Sequence, residues 1–268
     1  MKIIKKVLMC NPKYFSIKYS INPWMNRRIA INRARAQIQW QRLAETLDSL
    51  NINIEEIKPQ KENPDMVFTT DAGLLRKKTF VLSNFKHKER QKEKRFFIQR
   101  LKKKNYLKIV ELSEESFFEG GDGLTYGDKV LLGIGFRTNL KASREIQKHL
   151  NCEVINLKLK DPKFYHLDTC LLPIDEKSVA FYPQAFTSSS IQKIKTICPN
   201  PVVIKEKEAF NFAANSIISQ NSAVVQKNNQ NMIDILKQKG KQVFAINVSE
   251  FFKSGGGIHC MACSVFEN

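Results

Sequence analysis

The sequence predicts an α/β fold built from repeated strand and helix modules, and three observations carry that prediction. Paired apolar runs alternate with helical stretches every few tens of residues from one end to the other. The chain is 268 residues long and 42% apolar, which is enough for a sizeable buried core. Charged residues make up 26%, a globular proportion that excludes wholesale disorder. No clear internal sequence identity accompanies the alternation, so the repeat is structural, and one domain over 1–268 is expected.

Residues 3–10 (IIKKVLMC) read as a buried strand, followed by the loop NPKYFSIKYSINPWM. A helix over 27–50 places Ile31, Ala34, Ile38 and Leu47 near helical spacing and ends at Asn51. Strand 52–57 leads through the turn PQKENPD to strands at 66–69 (MVFT) and 79–84 (TFVLSN). A basic helix over 88–104 carries Phe96, Phe97 and Leu101 on one side. Strand 107–112 precedes the glycine-dense stretch 117–139, which reads as hairpin strands and turns. The second half repeats the theme. Helix 141–150 is followed by strands 152–159, 165–174 and 178–183, then by helix 187–197 and strands 202–205, 216–220 and 223–226. Helix 229–239 and strand 243–248 lead to the closing GGGIHCMACSVF.

The net charge is +18, but fourteen Lys/Arg against two acids, Glu89 and Glu93, lie between Arg76 and Lys108. So concentrated a run reads as a solvated helix face, and neither a zinc finger nor an aromatic RNA-binding signature argues for nucleic acid. No window approaches the ~20 consecutive apolar residues of a membrane span. The opening MKIIKKVLMC is too short in its apolar part for a secretory signal, so a cytoplasmic location is expected. The six cysteines, Cys10, Cys152, Cys170, Cys198, Cys260 and Cys263, do not read as a disulfide framework. Cys260 and Cys263 form one close pair with no partner pair, which argues against zinc. Phosphate-binding loops of the Walker or dinucleotide type are absent from the sequence.

Four short stretches concentrate reactive groups. Thr69-Thr70-Asp71-Ala72-Gly73 follows a strand, where an acid either binds a cation or stabilises a turn. Phe118-Glu119-Gly120-Gly121-Asp122-Gly123 places two acids around glycines that also suit a tight turn. His166-Leu167-Asp168 would project imidazole and carboxylate to one side of an extended strand, although a core histidine is an equal reading. Gly255-Gly256-Gly257-Ile258-His259-Cys260 lets the backbone approach a ligand closely and delivers a thiol. A cysteine with an available histidine is the minimum for covalent catalysis; a lone buried cysteine is usually structural.

In this order the four motifs resemble the guanidine-modifying superfamily, the penteins, over essentially the whole chain. Arginine deiminases, agmatine deiminases, dimethylarginine dimethylaminohydrolases and glycine amidinotransferases belong to it. The opening CNPKYFSIKYSINPWM is most similar to the arginine dihydrolase and dimethylargininase-like branch. The resemblance implies a five-bladed α/β propeller of ββαβ modules around a substrate channel, with no metal or organic cofactor. It implies Cys260 as nucleophile, His166 as general acid/base and Glu119 as the acid bonded near that histidine. Asp71 and Asp168 would hold the guanidinium and Arg137 the substrate carboxylate; Arg90, inside a lysine-rich run, is a looser match to a second such arginine, and Asn22 looks like a further substrate contact.

Arg137 favours arginine-like substrates over agmatine. Asp168 favours an unmethylated guanidine, because a dimethylated nitrogen has no N–H to give a buried carboxylate. The dihydrolase branch carries Asn where this chain has Asp71, which points to a deiminase-type reaction giving citrulline and ammonia. Dihydrolysis to ornithine, CO2 and two ammonia, and dimethylarginine hydrolysis, stand close behind. Amidino transfer, or a non-catalytic basic pentein that binds nucleic acid, ranks lower. The expected partner is a small guanidino compound, with no membrane and with a homo-oligomer left open.

Overall fold

Five three-stranded sheets repeat one strand order, and the computed structural model describes residues 4–267 of the chain. In every sheet the middle strand runs antiparallel to one neighbour and parallel to the other. A parallel neighbour demands a long crossover, and a helical crossover supplies it in each sheet. The first sheet joins β1 (Ile4–Cys10) through α1 (Arg33–Ser49) to β2 (Asn53–Ile57). The second holds β3 (Gly73–Arg76) and β4 (Thr79–Leu82), then α2 (Lys88–Gln91), α3 (Glu93–Leu101) and β5 (Lys108–Val110). The third holds β6 (Gly123–Tyr126), β7 (Lys129–Ile134), α4 (Leu140–Leu150) and β8 (Val154–Lys158). The fourth holds β9 (Leu171–Pro173), β10 (Val179–Phe181), α5 (Ser188–Ile197) and β11 (Val202–Val203). After α6 (Glu206–Phe210), the fifth comprises β12 (Ile217–Ile218), β13 (Ser222–Gln226), α7 (Gln230–Gln238) and β14 (Gln242–Ile246). Beyond α8 (Ser249–Phe252), β15 (Cys263–Glu267) pairs with β1, so the two ends of the chain close the ring. The result is the five-bladed α/β propeller.

The middle strands are buried on both faces and are written as near-continuous apolar runs, such as VLLGI in β7 and AVV in β13. Three of the helices begin on side-chain caps: Asn32 for α1, Asn139 for α4 and Thr187 for α5. Between blades the apolar faces merge into cores, the largest of which includes Phe164, Leu172, Phe181, Phe186 and Val225. Each such side chain contributes about 1.5–3 kcal/mol of burial.

Several local expectations change. The helix expected from residue 27 begins at Arg33, because Asn32 accepts the Arg35 N–H at 2.9 Å and fixes the first turn there. Its buried stripe is Ala36, Trp40, Leu43 and Leu47, while Ala34 and Ile38 face outward. The basic stretch 88–104 is two helices that end at Leu101, and it is not simply a solvated face: Arg90 and Glu93 point inward and are buried. The strand expected at 66–69 is replaced by two 3-10 turns, Pro64–Val67 and Thr69–Ala72. Residues 165–174 are not one strand, since a 3-10 turn at Leu167–Thr169 precedes the short β9. Residue 3, expected to open the first strand, lies outside the described residues.

Those turns position the site. Tight turns enter β3, β6, β9 and β15 through Thr69–Ala72, Gly120–Asp122, Leu167–Thr169 and His259–Met261. The equivalent entry to β12 is the turn at 211–216. The turns pack against one another, so motifs far apart in sequence meet at one end of the ring's axis.

Candidate active site

All four sequence motifs fall on these turns, and their polar groups converge. His166 caps its turn from an extended backbone, while Asp168 sits inside it. The two side chains therefore diverge instead of sharing one strand face, because a 3-10 turn rotates each residue by about a third of a circle. His166 Nε2 lies 2.9 Å from Glu119 Oε2, and its Nδ1 lies 3.4 Å from Asp71 Oδ1. Asp168 instead reaches the fourth motif, with Oδ2 at 3.3 Å from Cys260 Sγ and 2.9 Å from His259 Nδ1. Cys260, His166, Glu119, Asp71 and Asp168 are each at most 3% exposed.

The thiol is held from the fifth blade. Asn215 Nδ2 donates to Cys260 Sγ at 3.1 Å and to the Asp168 carbonyl at 3.2 Å, while its Oδ1 accepts the Cys260 N–H at 3.2 Å. Sequence reasoning missed Asn215. The signal for it was positional: it stands two residues before β12, as Asp71 stands two residues before β3. His259 was read only as a neighbour of Cys260, and the structure gives it the contact with Asp168.

Burial, reinforced by the carboxylates of Asp168 and Asp71, pushes the Cys260 thiol well above its usual range, so it is neutral here. His166 moves up as well, which for a base favours the charged form. Burial opposes its charge, but Asp71, Glu119 and Asp122 outweigh burial and raise the imidazole to about 9. Glu119 is held ionised: burial opposes this, and Arg137 and His166 override it. Burial pushes Asp122 up to about 7. Its carboxylate accepts the Leu167 N–H at 3.1 Å and the Thr138 hydroxyl at 2.7 Å, tying the second motif to the third.

Arg137 is buried, donates to Glu119 Oε2 at 2.6 Å and to the Ile21 carbonyl at 2.9 Å, and lies over the Tyr165 ring. Arg90 donates to Asp71 Oδ2, grips Glu93 through Nε and Nη2, and reaches the Asp65 carbonyl. Asn22 accepts the Trp24 and Met25 N–H groups and donates to Ser254 O at 3.0 Å. It thereby fastens the 11–32 loop beside Gly255, whose φ of +82° suits glycine. Gly121 is required by contact: a Cβ there would meet His166 Nδ1 at 2.7 Å and Asp71 Oδ1 at 2.9 Å.

One oxygen on each of Asp71, Glu119 and Asp168 has no hydrogen-bond partner among the described residues. Ligand atoms of Asp71, Glu119 and His166 lie within 4.8 Å of one another, a spacing that could hold a metal. Arg137 and Arg90 already pair with Glu119 and Asp71, so the cluster's charge is balanced by side chains. A buried neutral thiol, a charged imidazole and carboxylates with open acceptors suit the capture of a planar cation and attack on its carbon.

The comparisons agree with that chemistry. The family model described as N,N dimethylarginine dimethylhydrolase, eukaryotic, matches residues 11–267. The dimethylarginine dimethylaminohydrolase of Mycobacterium tuberculosis is 31% identical over 262 residues, covering 97% of this chain and 86% of that one. The bifunctional arginine dihydrolase/ornithine cyclodeaminase ArgZ of Synechocystis sp. is 36% identical over 98% of this chain, which spans 38% of ArgZ's length. The N-terminal domain of ArgZ bound to product superimposes with a TM-score of 0.92 at 34% identity, covering 97% of both chains. A single-substitution variant of that domain has been seen covalently bonded to a reaction intermediate. The chain belongs to the N,N-dimethylarginine dimethylhydrolase family, pentein-fold hydrolases that act on the C–N bonds of guanidino compounds.

Proposed function

We propose that this chain hydrolyses the guanidinium group of unmethylated arginine to citrulline and ammonia. One observation carries the choice of substrate: Asp168 is buried beside Cys260 with its Oδ1 open. An unmethylated guanidinium offers that oxygen an N–H, whereas a dimethylated nitrogen would leave a buried carboxylate unpaired at a cost of about 1–3 kcal/mol. Asp71 supplies the second carboxylate and favours a stop at citrulline, since the dihydrolase branch has Asn in its place.

The cation itself activates the nucleophile. Asp168 and Asp71 disfavour a thiolate in the free site, and a bound guanidinium neutralises both. Guanidinium binding thus releases the thiol proton to solvent, and the Cys260 thiolate forms an S–C bond to the guanidinium carbon. His166, charged at neutral pH, protonates the departing nitrogen as the C–N bond breaks. The remaining S-alkylthiouronium is attacked by water, which returns a proton to His166 and expels the thiolate. Glu119 keeps His166 charged and oriented, and Asn215 points an N–H at the sulfur.

Arg137 has five N–H donors and gives two of them to Glu119 and Ile21, so it retains donors for the substrate carboxylate. Arg90 gives its donors to Asp71, Glu93 and Asp65, which suits it to holding Asp71 rather than to gripping substrate. Asn22 shapes the covering loop. Dihydrolysis is the second reading, favoured by the likeness to ArgZ.

A mass-spectrometric product assay tests the proposal, with arginine, asymmetric dimethylarginine and agmatine as separate substrates and Cys260→Ser as control. Citrulline from arginine supports it. Ornithine with two ammonia moves the chain to dihydrolysis, and dimethylamine from the methylated substrate overturns the part given to Asp168.

A further inference from the structure

We propose that His259 is a positioning residue for Asp168: its imidazole holds one carboxylate oxygen beside the nucleophile and so leaves the other for the guanidinium. This rests on the guanidine-hydrolase reading above. His259 Nδ1 lies 2.9 Å from Asp168 Oδ2, the oxygen that is 3.3 Å from Cys260 Sγ. Asp168 Oδ1 is buried and open. A carboxylate only accepts, so the proton of the His259 contact sits on Nδ1, in the neutral imidazole and in the imidazolium alike.

The main chain of Asp168 is fixed, its carbonyl accepting from Asn215 Nδ2 at 3.2 Å. That does not fix the carboxylate, because the torsion that turns it is soft and close to two-fold. Two groups of the fourth motif set it, the Cys260 thiol and the His259 imidazole. The thiol is a weak donor, and it loses its proton on becoming the nucleophile. From then on Oδ2 faces an anionic sulfur, and the His259 N–H is what keeps that oxygen in place. His259 is built for this, since its own backbone is pinned on two sides. Its N–H donates to the Asn215 carbonyl at 3.2 Å, and its carbonyl accepts the Thr70 hydroxyl at 2.5 Å. One residue thus ties the entry turns of the second, fourth and fifth blades. The His259 side chain is 25% exposed against 2% for Asp168, so it can be replaced with little loss of packing.

Two substitutions of similar shape test this. Asparagine can set its side-chain N–H near the place of Nδ1 but cannot carry a proton, and leucine has no donor at all. With arginine as substrate, His259→Asn should keep kcat/KM within threefold of wild type, while His259→Leu should lose at least tenfold. In an Asp168→Ala background, read by single turnover at excess enzyme, no carboxylate is left to hold. There His259→Leu should cost less than twofold. His259→Ala, which adds no bulk, repeats both comparisons, and thermal midpoints confirm that each variant is folded. Equal losses for His259→Asn and His259→Leu, no loss in His259→Leu, or the same loss with and without Asp168 would each overturn the positioning role and leave the hydrolase standing. A wild-type protein that turns over no guanidine overturns both.

Discussion

Replacing Asp168 by Asn should move two properties of Cys260 in opposite directions. Asp168 Oδ2 lies 3.3 Å from the sulfur, and its charge, after burial itself, raises the thiol pKa. At that separation and an effective dielectric near 20, the repulsion between the carboxylate and a thiolate is ~5 kcal/mol. Even a quarter of that is about one pKa unit, a tenfold larger thiolate fraction at a given pH. Asp168→Asn should therefore be alkylated by iodoacetamide at Cys260 at least ~10-fold faster at pH 8. Arginine turnover should fall, because a buried charge pair loses one member; about 2–5 kcal/mol corresponds to ~30- to ~5000-fold in kcat/KM. The assay pairs peptide-resolved mass spectrometry of Cys260, which separates it from the other five cysteines, with steady-state citrulline formation. Slower or unchanged alkylation alongside lost turnover would refute the reasoning, because the anion would then not be what keeps the thiol protonated.

Asp71→Asn removes the charge that pairs with Arg90 and faces His166; ornithine should appear among the products, and product mass spectrometry detects it. Asn215→Ala leaves the sulfur without its N–H donor and should slow adduct formation about 100-fold, read by rapid-quench intact mass, with the thermal midpoint showing that the fold persists. His166 is raised from 6.5 to about 9, so its charged form stabilises the fold fully below pH 6.5 and that contribution is lost as pH climbs through about 9. Thermal melts should therefore fall more steeply between those pH values in wild type than in His166→Ala, and parallel curves would contradict the shift. Gly121→Ala should cost at least tenfold in kcat by pressing a methyl into His166 and Asp71, with far-UV dichroism unchanged.

How much of this was legible in the chain differs from element to element. The apolar runs of β4, β7 and β13 and the crossover helices were written locally, because a strand's period and a helix's period depend on neighbours a few residues away. The four motifs carrying Asp71, Glu119, His166/Asp168 and Cys260 were equally visible, since glycine and acid clusters between apolar runs mark turns that hold chemistry. Their local shape was misread where a strand was expected at 66–69 and across 165–170. In the second of these the Leu167 N–H is satisfied by Asp122, forty-five residues away, and nothing nearby in sequence announces that bond.

Burial and partnership were decided by the ring. Arg90 and Glu93 sit in a stretch whose composition reads as a solvated face, and they are buried because the second blade turns them toward Asp71. Asn215 is one asparagine among many until closure of the propeller sets it against Cys260. Asp168 meets the sulfur across a separation of 92 residues. The sequence by itself determined the groups that the four motifs bring, Asp71, Glu119, His166, Asp168 and Cys260, because side-chain chemistry and turn propensity are local properties. Only the tertiary structure decided which group faces which, since those distances exist only once β15 has paired with β1 and drawn five turns to one axis.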